Sequence, residues 1–174
     1  MSATPYLADA NVRAPGYFVL RADALCRHCG RSTALLALSV PPGHETLELP
    51  EDAEGAGMWQ HADAHALLFF VQKLPDGVRR RLRELSQSFR PGHGAATLNS
   101  YWANHCEHCR APIGDRELHC EPEGAFTPAS EQAAAALRLV PIPESFEALT
   151  AGYSPEPEFF SCIRRIGGSW PTIS

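Results

Sequence analysis

The chain carries two C-x-x-C pairs, CRHCG at 26–30 and CEHCR at 106–110, and no other feature narrows its folding options as much. Such a pair presents two thiolates from one tight turn whose backbone amides point at the sulfurs, which is half of a tetrahedral site; a second pair completes it. The simplest reading therefore gathers Cys26, Cys29, Cys106 and Cys109 around one Zn²⁺, although Cys29 and Cys106 stand 77 positions apart. Closing a loop of that length costs about 4 kcal/mol by the logarithmic loop-entropy relation. Structural zinc contributes roughly 10 to 16 kcal/mol of apparent binding free energy in small zinc domains, so the metal outweighs the loop.

At 174 residues the chain fits one ordinary domain. Six cysteines allow three disulfides in principle, but paired C-x-x-C spacing without a basic, apolar leader points to metal in a reducing compartment, and a cytoplasmic location is expected. No apolar run reaches the roughly 20 residues that cross a bilayer, so no membrane association is expected. The formal charge of −5 opposes bulk electrostatic binding of nucleic acid and favours a protein partner. Fourteen arginines stand against the single Lys73, a skew more like codon bias than physical demand, so arginine counts alone carry little weight.

Residues 1–16, broken by Pro5 and Pro15, read as an extended lead-in to a single zinc-ribbon domain over 17–174. Tyr17 to Arg21 and Thr33 to Val40 read as strands on either side of the first knuckle, with Pro41-Pro42 halting the second. A short strand is expected at 46–49 and a buried one at 66–71. From Asp76 the period changes: Val78, Leu82, Leu85 and Phe89 fall on one helical face and predict a helix over 76–88. Gly114-Asp115 reads as a turn into a hairpin strand at 117–120, and 130–138 as a further short helix. Ser154-Pro155 reads as an N-cap and first helical residue, and Phe159, Cys162, Ile163 and Ile166 share a face, which predicts a C-terminal helix over 155–166. The expected fold class is α+β: a small antiparallel sheet built around a split zinc ribbon, with an inserted amphipathic helix and a C-terminal helix.

The two knuckles resemble the zinc-ribbon class, a likeness that covers only a minor part of the chain and implies a structural four-cysteine zinc site. Gly30 stands where such turns need positive φ, whereas the second knuckle has Arg110 there, at a cost of about 1 kcal/mol that predicts a distorted or open turn. The stretch SYWANHCEHC…GD…LHCEPEGAF also resembles segments of bacterial zinc-binding proteins without an assigned activity.

Other chemistry competes for the same residues. A zinc-dependent hydrolase would use Cys106, Cys109 and His119 as ligands and Glu121 as acid/base, echoing the deaminase signature H-x-E…P-C-x-x-C. Here the order is reversed, His105 replaces the proline, and Cys26 and Cys29 are left unused. A zinc-linked thiol redox switch would rely on His28 and His108 to favour thiolates. His61 and His65 could grip a metal if helical but read more simply as a solvated pair, and Cys120 and Cys162 as buried small hydrophobes. Arg79, Arg83 and Arg90 along one helix flank form a candidate face for an anionic partner, against the plainer reading of a solvated face. Tyr101 and Trp102 are expected to cover the zinc site from water. No nucleophile elbow or phosphate-binding loop is present. The expectation is a zinc-stabilised, non-catalytic binding module that engages a protein partner.

Overall fold

The computed structural model describes residues 9–51, 55–93 and 100–167. Twelve strands appear among these residues: β1 (Val12–Ala14), β2 (Tyr17–Leu25), β3 (Ser32–Val40), β4 (Glu45–Glu48), β5 (Met58–His61), β6 (Ala66–Lys73), β7 (Phe89–His93), β8 (Ser100–His105), β9 (Pro112–Ile113), β10 (Arg138–Ile142), β11 (Phe146–Pro155) and β12 (Arg164–Arg165). Two α-helices join them, α1 (Asp76–Leu85) and α2 (Glu131–Ala135), together with helical turns at Arg116–Cys120 and Phe160–Cys162. Nine strands form one sheet in the order β12-β10-β2-β3-β6-β11-β1-β4-β5, and β7-β8-β9 form a second. Every pairing is antiparallel except β10 with β12.

The expected small α+β ribbon is therefore corrected. The protein is mostly β, with 44% strand and 16% helix among the described residues, and its main sheet is large and mixed. The physical reason lies in β2 and β3, whose nearly unbroken apolar runs suit strands covered on both faces. Tyr17, Val19, Leu36, Leu38 and Val40 face one cluster with Leu68, Leu82, Phe89, Trp102 and Phe146. Phe18, Leu20, Leu35 and Ala37 face the other, with Leu67, Leu118, Phe126, Leu139 and Phe160. Helix α1 and the β7–β8 pair cover the first face; the 116–120 turn, α2 and the C-terminal segment cover the second.

The predicted helix over 76–88 stops at Leu85. Ser86 is extended, and its Oγ accepts the N–H groups of Ser88 and Phe89 at 3.1 and 3.3 Å, which turns the chain out of the helix. Phe89 kept the helical spacing yet belongs to β7, where it meets the same core beside Trp102. The expected C-terminal helix over 155–166 is absent. Ser154 and Pro155 are ladder partners of Leu67 and Ala66, the strand's end tolerating a proline, and Arg164–Arg165 pairs with β10. The expected strand at 117–120 is the helical turn instead. Residues 1–8 of the lead-in lie outside the described residues, and Val12–Ala14 form β1 between β11 and β4.

Candidate metal centre

Each knuckle is the turn of a hairpin, β2 into β3 and β8 into β9, and the two close in the same way. The Cys26 N–H donates to the Arg31 carbonyl at 2.9 Å and the Gly30 N–H to the Cys26 carbonyl at 2.8 Å. In the second knuckle, Cys106 N–H donates to Ala111 at 2.9 Å and Arg110 N–H to Cys106 at 3.0 Å. The amides of His28 and His108 each point at the first sulfur of their pair, at 3.4 Å. Gly30 has φ 72° and Arg110 φ 62°. Arg110 thus takes up the left-handed strain expected of it, but the turn is neither open nor distorted.

The four sulfurs converge. Sγ of Cys26 lies 3.7 Å from that of Cys109, and Sγ of Cys29 lies 3.7 Å from that of Cys106. All four lie within 4.8 Å of one another. Four thiolates about 2.3 Å from one ion have a tetrahedral edge of about 3.8 Å, whereas a disulfide holds its sulfurs at about 2.05 Å. The donor set fits a thiophilic tetrahedral ion. Cys26 and Cys106 are buried, and Cys29 and Cys109 lie at the surface. The backbone N–H of Cys109, ahead of other contributions, pulls the Cys106 thiol down to about 6. At Cys109 the Ala111 amide acts downward, but burial and the three neighbouring sulfurs push the thiol up to about 11. The cluster therefore gives up a first proton readily and holds a later one, which a dication displaces.

What brings the two halves together is a set of side chains at the edge of β3. Strand β6 pairs with β3 only at Leu38, Ser39 and Val40, leaving the edge over residues 32–36 without a strand. Asn104 on β8 fills that place: its Oδ1 accepts the Leu36 N–H and its Nδ2 donates to the Leu36 carbonyl, both at 2.8 Å. A Glu107 carboxylate oxygen accepts the Ala34 N–H at 3.1 Å, the Glu107 N–H donates to the Thr33 hydroxyl at 3.0 Å, and the His108 ring meets the Ser32 carbonyl at 2.9 Å. The second knuckle thus docks on β3 as a strand would, through side chains.

No protein-family model, curated protein or solved structure matches this chain.

Among the described residues, the four cysteines are the one cluster with metal-ligand geometry. His119 stands outside it, buried against Phe126 and Phe69 at ring distances of 5.1 and 5.6 Å, with Nδ1 lacking a partner. Burial pushes it down to about 4, so it is neutral. Glu121 faces Arg27, which Glu117 also contacts at 3.0 Å. His61 ends strand β5 near Glu45, while the His65 ring packs between Phe18 and Phe160, so the two do not form a helical pair. Cys120 is exposed and Cys162 half-buried, which corrects their expected burial. Trp102 lies in the core rather than over the sulfurs, and the Tyr101 hydroxyl accepts the Asp115 N–H at 3.4 Å. Arg79 pairs with Asp76 and Arg83 is exposed on α1, whereas Arg90 lies beyond the helix, on β7.

Two buried positions that order the site's surroundings were not legible in the sequence. Asn104 carried a weak signal, an amide amid the apolar SYWANH strand. Asp115, read as a turn residue, is buried; one of its carboxylate oxygens accepts the Phe70 N–H at 2.7 Å, and Phe70 has φ 52°. Burial pushes the Asp115 carboxyl up to about 7, against the opposing pull of that N–H. Nothing local in the sequence foretold either partner, 45 to 68 positions away.

Proposed function

We propose that this protein is a non-catalytic binding module of bacterial type in which Zn²⁺, held by Cys26, Cys29, Cys106 and Cys109, fastens two sheets together, and whose surfaces beside that site engage a protein partner in the cytoplasm. The closed shell of four convergent sulfurs carries the reading, because a catalytic zinc keeps an open position and a nearby acid or base. His119 and Glu121 are committed to aromatic packing and to Arg27. No helix among the described residues is long and apolar enough to cross a membrane. Metal content and X-ray absorption on the wild type, Cys26→Ser and His119→Ala test the proposal. One zinc in a four-sulfur shell, lost in the first variant and kept in the second, is the expected result. Nitrogen or oxygen in the shell, or metal loss in His119→Ala, would return the site to catalysis.

A further inference from the structure

We propose that one end of the large sheet is a docking face for an acidic peptide segment, built on a cross-strand row of Arg21, Arg138 and Arg164. This deepens the binding-module reading and rests on it for the kind of partner engaged.

The row follows from the strand register. Arg138 on β10 lies directly opposite Arg21 on β2 and directly opposite Arg164 on β12. Residues so paired share a face of the sheet, and with neighbouring strands about 4.8 Å apart the three Cα atoms span about 10 Å. Like charges placed directly opposite destabilise a sheet. Among the described residues, only the middle guanidinium has a counterion, Asp23 at 2.8 Å. Among the described residues, neither Arg21 nor Arg164 meets a carboxylate within 4.0 Å. The neighbouring Arg165 points to the other face, over the Phe18 ring, and takes no part. In a protein of net charge −5, two of three aligned arginines with no carboxylate among the described residues make a local positive field that the overall charge conceals.

The surroundings narrow the partner further. Val19 lies opposite Val140 in the adjacent row, and Ile166, whose N–H bonds the Leu139 carbonyl at 2.9 Å, extends that row to the edge at 41% exposure. On the far side of Arg21, beyond Asp23, Leu25 is 73% exposed. Cations bordered by exposed aliphatic side chains suit a segment that alternates carboxylates with aliphatic residues. Single-stranded nucleic acid binds instead on exposed aromatic rings, and the side chains exposed here are aliphatic.

The test is fluorescence anisotropy with a labelled peptide of alternating glutamate and valine, beside its lysine counterpart and a labelled single-stranded DNA oligonucleotide. The glutamate peptide should bind, more weakly as salt is added. The double variant Arg21→Gln/Arg164→Gln should weaken it on the order of tenfold, Arg164→Gln alone by less, and Arg79→Gln/Arg83→Gln on α1 should leave it unchanged. Removing unpaired like charges should also leave the double variant at least as resistant to urea as the wild type. Equal peptide binding by wild type and both row variants, preference for DNA, or binding lost in the α1 variant would overturn the proposal. Zinc content measured on the same samples keeps the outcome separate from the metal-site reading, which fails if the four-sulfur shell is not found or if His119→Ala loses the metal.

Discussion

Replacing Asn104 by alanine removes both hydrogen bonds by which β8 meets the free edge of β3, leaving the Leu36 N–H and C=O without partners. Asn104 is 1% exposed and Leu36 2%, so water cannot take the amide's place without opening the packing. A buried polar group stripped of its partner costs about 1 to 3 kcal/mol, and two such groups place the loss at about 2 to 6 kcal/mol, against about 0.5 kcal/mol for an ordinary surface substitution. Asn104→Asp is the discriminating companion. It keeps an acceptor for the Leu36 N–H but sets a carboxylate oxygen against the Leu36 carbonyl, so burial and that contact should raise its carboxyl in the fold. Its stability is then greatest in acid and falls as pH rises. Urea unfolding of the zinc-loaded proteins, followed by circular dichroism, should show a lower midpoint with an unchanged slope. Zinc affinity should fall with it, since the metal would then hold the knuckles together with only the Glu107 and His108 contacts to help. An Asn104→Ala protein within about 0.5 kcal/mol of wild type would refute the idea that side chains stand in for the missing strand.

Other expectations follow from particular residues. Arg110→Gly relieves the left-handed strain at φ 62° and should stabilise the zinc-loaded protein by about 1 kcal/mol in thermal unfolding. For Asp115, raised to about 7 in the fold, the contribution to stability is fully present below the unfolded value near 4 and is lost as pH rises toward 7, about 4 kcal/mol by linkage. Asp115→Asn, which keeps an acceptor for Phe70, should therefore gain over wild type at pH 8 and little at pH 4; an equal difference at both would refute the buried-carboxyl account. His119, lowered to about 4, acts in the opposite sense: its contribution is present above about 6.5 and lost as pH falls toward 4. The two slopes oppose each other across that window, and His119→Phe should expose the Asp115 slope alone in a pH series of unfolding midpoints.

The knuckles were legible because their chemistry is local: two cysteines, a turn and its amides lie within five residues. The strands beside them were legible too: Ser32–Val40 stands where its apolar run puts it, and the strand expected over Tyr17 to Arg21 begins at Tyr17 but runs on to Leu25. The size of the sheet was not, because nothing in an apolar run states how many strands flank it. Phe89 shows a different limit. Its spacing from Leu82 and Leu85 suits a helix face, but the same burial is reached from a strand once Ser86 turns the chain, and periodicity cannot separate the two. Ser154-Pro155 reads equally well as a helix start and as the end of a strand. The edge-filling roles of Asn104 and Glu107 depend on where β6 parts from β3, a feature of the assembled sheet alone.

The large sheet also changes what the metal is for. In a small ribbon the ion substitutes for a core, and removing it unfolds the domain. Here two extensive clusters of buried side chains line both faces of β2 and β3, and most of their members lie outside the strands that flank the two knuckles. An ion held by the four sulfurs would tie the β7-β8-β9 sheet to the edge of β3, next to Asn104 and Glu107, so its removal should act locally before it acts globally. Hydrogen exchange followed by mass spectrometry, with and without a chelator, separates the two cases. Chelation should deprotect the amides of Trp102 to Cys106 and of Ala34 and Leu36, whose partners are Glu107 on the second knuckle and Asn104 on β8, while Val19 and Leu20 and their partners on β3 and β10 stay protected. Uniform loss across both sheets would mean that the sulfur cluster holds the whole fold, and that the two cores are too weak to stand without it.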